Sequence, residues 1–358
     1  MLRMPLFVYR VFVYEYWPAW LFYLPVLPYW IYLSIRLRSF SFFTAANPGI
    51  EMGGFFGESK NDILARIDHR YLPKHVFVSP NDVSKLDELI AKHNLQFPLI
   101  AKPDVGERGA SVTKISNRSE LEPYIETLEG ASFILQEFIA YTEEFGVFYS
   151  RLPNETTGRI TSLTRKVFLS VTGDGQHSIA ELMQQSVRAR FQLPRFLKEM
   201  PELLQHIPAV GETCLLEPIG NHCRGTEFVN AAELITPKLN DLFDDISRRI
   251  DGFFYGRFDI KVESIEHLKR GETIKIMELN GISSEPGHIY DTRMNLLKAW
   301  FDVTRHWKRL AAISQQNLQS GTKQVQFSEI VSTYVRHVWR GRRGTHPAPT
   351  PTSIINKP

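Results

Sequence analysis

Two segments near residue 270 carry the side chains best suited to chemistry. GRFDIKVES (256–264) and IKIMELNG (274–281) both read as strands, set face to face across a polar turn. Side chains alternate faces along a strand with a period of two. Arg257 and Asp259 therefore share one face of the first strand, and Glu278 and Asn280 one face of the second. If the strands pair, two carboxylates and an amide oxygen converge beside a guanidinium. Oxygen ligands of this kind suit Mg2+ or Mn2+, hard ions that bridge phosphates. Arg257 would then sit where negative charge develops on a transferring phosphoryl group or an acyl oxyanion. The alternative is a hairpin whose charged face points at water. Against it stands the adjoining run NGISSEPGH, polar and rich in turn formers, where a substrate could enter.

A second set lies upstream in FPLIAKPDVGERGASV (97–112): a strand ending in Lys102, a loop with Gly106 and Gly109, then another strand. Glycines let backbone amides approach phosphate oxygens, and a lysine at a strand end supplies a point charge. The spacing is not that of a P-loop, and a plain hairpin loop is the alternative.

These residues need elements to hold them. The pattern predicts a short helix over 59–70 with Ile63, Leu64 and Ile67 on one face, then a strand at 75–78. A helix over 80–93 follows, with Asp82 as its N-cap. Further strands are expected at 97–102, 111–115, 133–137, 146–151, 256–263 and 273–279, with a strand pair within 160–171. Helices are expected at 119–128, 178–189, 237–251 and 292–315. Helices mixed with hairpins, without regular strand–helix alternation, indicate the α+β class.

The bulk numbers exclude several functions. A net charge of +3 and a pI near 8.7 are too mild to make nucleic acid the partner, and no nucleic-acid-binding signature is present. Cys214 and Cys223 form no C-x-x-C pattern, so neither a zinc site nor a disulfide framework is suggested; a reducing, cytoplasmic compartment fits. The stretch from about 341 is rich in Gly, Arg, Pro and Thr and reads as disordered.

Residues 1–43 are different again. No charge falls between Tyr16 and Ile35, a run long enough to span a bilayer. Pro18, Pro25 and Pro28 would break a helix there, and Trp and Tyr occur throughout rather than at the two ends. A segment lying in the headgroup region of a membrane is the preferred reading; packing onto the body or onto a second subunit, as in a homodimer, is the alternative.

In their order, these pieces resemble the ATP-grasp superfamily, near D-alanine–D-alanine ligase and the ligase domains of cyanophycin and glutathione synthetases. The resemblance covers about 58–305 and implies two α+β subdomains clasping ATP. It puts Lys102 on the α/β-phosphates, with Lys60 as a second nucleotide lysine and Gly109 in the phosphate loop. LQEFI (135–139) resembles the hinge that holds adenine, through backbone groups of Glu137, Phe138 and Ile139. There Gln136 stands where the family often has glutamate, and its carbonyl can still accept from the adenine amino group. Glu144 matches the carboxylate on the ribose. Lys166, Arg188, Arg190, Arg195 and Arg224 are the basic residues available to the γ-phosphate or an acyl phosphate. Asp259, Glu278 and Asn280 match the metal ligands, and Arg257 the oxyanion-stabilising arginine.

The resemblance implies an ATP- and Mg2+-dependent ligase joining a carboxylate to an amine through an acyl phosphate. A membrane-proximal site would suit a lipid-linked or cell-envelope substrate at the inner face of the cell membrane. A kinase on the same fold, or a membrane-associated nucleotide-binding scaffold, are the competing functions. The α/β domain that usually precedes the core is replaced by the aromatic segment and by TAANPGIEMGGFFG (44–57), where Asn47 or Glu51 could contact an amine. The expected organisation is a membrane-surface segment (1–43), a linker with the first subdomain (44–134), the second subdomain with the metal site (135–315) and a basic tail (316–358).

Overall fold

A computed structural model describes residues 4–106, 112–333 and 335; Gly109, Arg3 and the stretch from 341 lie outside them. Strands β1 (His75–Val78), β2 (Leu99–Pro103), β3 (Thr113–Ile115) and β4 (Phe133–Glu137) form an antiparallel sheet in the order β1-β4-β2-β3. Alternate side chains (Val76, Val78, Leu99, Ala101, Phe133, Leu135) point into one cluster with Leu86, Leu121 and Tyr124 from the covering helices. The division expected between 134 and 135 falls inside β4, whose partners β1 and β2 belong to this first sheet.

Strands β5 (Glu143–Ser150) and β6 (Arg159–Val167) begin a second antiparallel sheet. A two-stranded ribbon, β7 (Ser170–Thr172) with β8 (Thr213–Leu215), interrupts it. The sheet is completed by β9 (Glu227–Asn230), β10 (Tyr255–Val262) and β11 (Ile274–Asn280), in the order β11-β10-β5-β6-β9. Its two faces differ sharply. Phe145, Val147, Tyr149, Leu163, Phe258 and Ile260 pack with Leu239, Phe243 and Ile246 of the helix Pro237–Arg249. The other face carries Glu144, Gly146, Lys166, Arg257, Asp259, Glu278 and Asn280. Burying the apolar face against one helix leaves the charged face to the cleft.

One irregularity sets up the site. Asp259 pairs with Glu278, but the next residue, Ile260, pairs with Ile276, which leaves Met277 unpaired in a β-bulge. In an unbroken strand Glu278 would share the apolar face of Ile276. The bulge turns it to the polar face and frees the Met277 carbonyl.

Helix limits differ from the sequence expectation in several places. The helix expected over 59–70 is a single stretch, Lys60–Leu64, capped by Ser59. The 80–93 region begins as 3-10 helix, and the residue ahead of it is Ser79, not Asp82; the Ser79 hydroxyl bonds Asp82 Oδ2 at 2.5 Å. The turn between β10 and β11 holds a short helix, Ile265–Arg270, between the Ser264 cap and left-handed Gly271. The helix expected over 178–189 breaks at Ser186 and resumes over Val187–Glu199.

The N-terminal segment folds into short helices, Leu6–Phe12, Ala19–Tyr23 and Leu27–Arg36, with Pro18 and Pro28 at helix starts where a missing N–H costs little. No helix among the described residues is long and apolar enough to cross a membrane. The inner side of this segment follows the alternative reading, packing onto the body. Phe22 and Val26 pack with Ile289, Ala299 and Val303, and Leu33 packs with Phe42, Leu310 and Ile313. Its inner side belongs to the protein, because the long helix Leu296–Gln319 offers an apolar stripe of matching length.

Candidate active site

Every expected ligand on the second sheet sits on its polar face. Glu144 is opposite both Lys166 and Lys261; Asp259 is opposite Gly146 and Glu278; Arg257 is opposite Asn280. Lys166 Nζ lies 2.7 Å from Glu144 and 3.3 Å from Asp259. Arg257 donates to both Asp259 oxygens, from Nε at 2.9 Å and Nη2 at 3.1 Å, a bidentate fork. Asn280 Nδ2 donates to the same carboxylate at 3.2 Å. Gly146 makes the room, since a Cβ there would stand 3.1 Å from Arg257 Cδ. Burial by itself would raise the Asp259 carboxyl, but the facing Arg257 and Lys166 outweigh it and hold it below the ordinary carboxylate range. Burial likewise works against the Lys166 ammonium, which Asp259 and Glu144 raise above its usual value.

Two lysines face this set, Lys102 from β2 and Lys60 from the start of the helix Lys60–Leu64. Lys102 Nζ donates to Gln136 Oε1 at 3.1 Å and to the bulged Met277 carbonyl at 3.0 Å, so it bridges the two sheets. Burial pulls it down to about 8, against the attraction of Glu278. Lys60 donates to the carbonyls of Asp104 and Gly106. Lys60, Lys102 and Glu278 line one small cleft with Ile63, Leu64 and Leu279.

The expected hinge residues make contacts of their own. The Gln136 oxygen, expected on adenine, accepts from Lys102, and its buried Nε2 has no partner among the described residues. The Glu137 amide donates to the Lys74 carbonyl at 2.8 Å, and the Ile139 carbonyl accepts from Lys261 Nζ at 3.3 Å. The Phe138 ring lies 4.4 Å from Lys114 Nζ. Of the backbone groups expected at adenine, the Glu137 amide and the Ile139 carbonyl have these partners within the protein.

Other expected residues are engaged elsewhere. Arg224 pairs with Glu217 at 2.9 Å, a carboxylate it shares with Arg195 at 3.0 Å, and so is not joined to Asp259. The loop carrying it does cover the site: a Cβ on Gly220 would stand 2.3 Å from Glu144 Oε1. Arg188 binds Glu15 at 2.5 Å, and Arg190 Nη2 donates to the Met4 carbonyl at 3.3 Å. Asn47, offered as an amine contact, is fully buried and saturated by the backbone of Gly53, Phe254 and Tyr255. It is a clamp that seats residues 44–57, whereas Glu51 is exposed. Both ring nitrogens of His288 are occupied, by Ser162 Oγ at 2.6 Å and Asp302 Oδ2 at 3.2 Å, which makes it structural.

The donor set fits a hard ion. The Glu278 carboxylate accepts no hydrogen bond among the described residues, Asn280 lies two positions on along the same face, and Asp259 carries two cationic partners it would share with a metal. Among the described residues no group of three or more His, Cys, Asp and Glu is assembled for a metal; here two carboxylates and an amide are gathered.

Sequence reasoning missed Glu285. Its main-chain oxygen accepts from Arg257 Nη1 at 3.2 Å, and its carboxylate accepts from Tyr23 and from Tyr290, the latter at 2.8 Å. The one signal was its place in the polar run after β11.

Residues 62–160 match the family model of the RimK-like ATP-grasp domain. No curated protein matches the chain. Among solved structures, D-alanine–D-alanine ligase from Bacillus anthracis is similar at 17% identity, over 73% of this chain and 67% of that one, with a TM-score of 0.39. The VanG D-Ala:D-Ser ligase from Enterococcus faecalis is similar at 14% identity over 70% and 61%, with a TM-score of 0.39. A bifunctional glutathione synthetase from Pasteurella multocida is similar at 17% identity over 68% and 35%, with a TM-score of 0.35. The chain spans 35% of that synthetase's length. The family match covers the first sheet and the strands β5 and the start of β6 that open the second.

Proposed function

We propose that this chain, which carries a RimK-like ATP-grasp domain, is an ATP-dependent ligase that joins a carboxylate to an amine. A substrate carboxylate attacks the γ-phosphorus of ATP, breaking its bond to the β–γ bridging oxygen and giving an acyl phosphate and ADP. The amine then attacks the acyl carbon, phosphate leaves, and the amine proton passes to solvent. The observation supporting this reading is the meeting of two sheets. Arg257, Asp259, Glu278 and Asn280 share one face of the second, and Lys102 from the first, with Lys60 from the helix Lys60–Leu64, lines a cleft with Glu278. Asp259, Glu278 and Asn280 are the residues that would hold Mg2+ or Mn2+, which when bound would neutralise phosphate charge. Lys102 supplies a positive charge to the phosphates, and Arg257 a planar donor set for the developing oxyanion. The test is ADP release with added carboxylates and amines. It should require the amine, and Asp259→Asn or Glu278→Gln should abolish it while the fold survives; turnover persisting in both variants would remove the metal assignment.

The substrate we propose is lipid-linked, presented at an anionic membrane surface. Phe7, Phe12, Trp20, Leu24 and Ile35 are 73%, 76%, 68%, 55% and 65% exposed, forming an apolar outer side on the N-terminal segment. Glu15, the one acidic residue within 4–50, is buried, whereas Arg10 and Arg36 are exposed. An apolar face with exclusively basic exposed charge suits anionic headgroups. Because the inner side of the segment is part of the core, deleting it would unfold the protein; substituting Phe12, Trp20 and Leu24 together by serine tests the idea. Sedimentation with anionic vesicles should be lost in that variant, and retention at the wild-type level would sink the proposal.

A further inference from the structure

We propose that Tyr23 of the N-terminal segment is a positioning residue of the ligase site: through Glu285 it fixes where the Arg257 guanidinium stands. The inference rests on the reading of Arg257 given above and deepens it. Arg257 is held from two directions, by Asp259 through Nε and Nη2, and by the Glu285 carbonyl through Nη1 at 3.2 Å. The second hold depends on how the Glu285 peptide is turned. Residues 281–286, between β11 and the 3-10 turn Gly287–Tyr290, contain no regular structure; main-chain bonds to Gly53, Gly54 and Gly281 hold 282–284, and the Glu285 side chain supplies the next hold.

Glu285 is anchored at both ends of its carboxylate. Tyr23 donates to one oxygen, and Tyr290 donates to the other at 2.8 Å. Burial, then the Glu285 charge, push both phenols well above their usual range, so they remain donors. Tyr23 is itself wedged in place, stacked on Trp307 with ring centroids 5.9 Å apart, and edge-on to Phe22 at 5.1 Å. Trp300 Nε1 pins the same turn by donating to the Phe22 carbonyl at 2.8 Å.

Without the Tyr23 hydroxyl, one Glu285 oxygen loses its donor while Arg257 stands within its electrostatic reach. A half-anchored carboxylate can turn toward the guanidinium and draw it off Asp259. The N-terminal segment thereby supports an arginine more than two hundred residues later in the chain.

The test compares Tyr23→Phe with Tyr14→Phe. Tyr14 anchors the same segment through the carbonyls of Ile289 at 2.9 Å and Met294 at 3.2 Å, without touching Glu285. Two readouts are taken on the full chain: kcat and KM for ATP in ADP release, and amide hydrogen exchange over 281–287. Tyr23→Phe should lower kcat about tenfold with little change in KM, the loss expected when a charged group's buried hydrogen bond is removed. It should also speed exchange over 281–287, while Tyr14→Phe leaves both near wild type. Wild-type exchange in Tyr23→Phe, or an equal fall of kcat in both variants, would overturn the proposal. If the wild-type protein releases no ADP, the ligase reading fails by itself, and the exchange comparison still decides whether Tyr23 anchors the loop.

Discussion

Replacing Lys166 by methionine removes a buried ammonium at nearly constant shape. Lys166 is 7% exposed and stands between Glu144 at 2.7 Å and Asp259 at 3.3 Å. Asp259 keeps Arg257 and Asn280 as donors after the change. Glu144 does not, retaining only the longer-range attraction of Lys261. Removing one partner of a buried pair costs about 3–5 kcal/mol, mostly from the charge left behind. Since only one of the two carboxylates is orphaned, the low end applies, about 3 kcal/mol. In the double variant Lys166→Met/Glu144→Gln the stranded charge is gone, and about 2 kcal/mol should return. Urea unfolding at pH 7.5, followed by tryptophan fluorescence, measures all three differences. A single variant that loses less than about 1 kcal/mol, or a double variant no more stable than the single, would refute the claim that Lys166 neutralises this face.

Two further outcomes concern protonation. Burial brings Lys102 to about 8, so raising the pH past that value removes the charge offered to phosphate; the Kd for Mg-ATP should rise by up to about tenfold between pH 7 and pH 9, and a flat calorimetric profile would take Lys102 off the phosphates. His306 is lowered to about 3, first by burial and then by His288. The unfolded chain therefore gains a proton below about 6.5 that the native state refuses, and stability present above that pH is lost as pH falls. From pH 7.5 to 4.5 the wild type should lose on the order of 3 kcal/mol more than His306→Leu, measured by urea midpoints at both values; equal losses would refute the account.

The polar face was legible in the sequence because β-strands alternate strictly. Arg257 with Asp259, and Glu278 with Asn280, needed only a period of two and correct pairing, and the register supplies both. What the sequence hid are departures from regularity. Nothing in IKIMELN marks Met277 as the bulged residue, yet that extra residue turns Glu278 to the cleft and exposes a carbonyl to Lys102. The Gln136 side chain was read as free for a ligand, because a single sequence does not show that Lys102 ends beside it. Asn47 misled for a related reason: an amide in a turn-rich run looks available, and only the fold reveals four backbone partners. Glu285 was passed over because its importance comes from Tyr23, a residue 262 positions away.

The N-terminal segment inverts the usual pattern of burial, and that inversion explains its two sides together. Apart from the exposed Arg10, Arg36 and Arg38, its charged and serine side chains are inside and many of its large apolar groups are outside, opposite to what burial statistics favour. Three side chains, Tyr14, Glu15 and Tyr23, have specific partners at the site's margin. Glu15 reaches His222 at 3.0 Å in the loop whose Gly220 covers Glu144, and Tyr14 and Tyr23 reach residues 285–294 beyond β11. A segment merely dissolved in a headgroup layer would have no use for such contacts, and one merely covering a core would not leave Trp20 at 68% exposure. The seat is set by the polar contacts, which tie the segment to both loops flanking the polar face. The outward apolar side is then free to meet a surface without being needed to hold the fold. Any surface that binds there acts on the same short helices that carry Tyr23, and so lies one hydrogen-bonded step from Glu285 and two from Arg257.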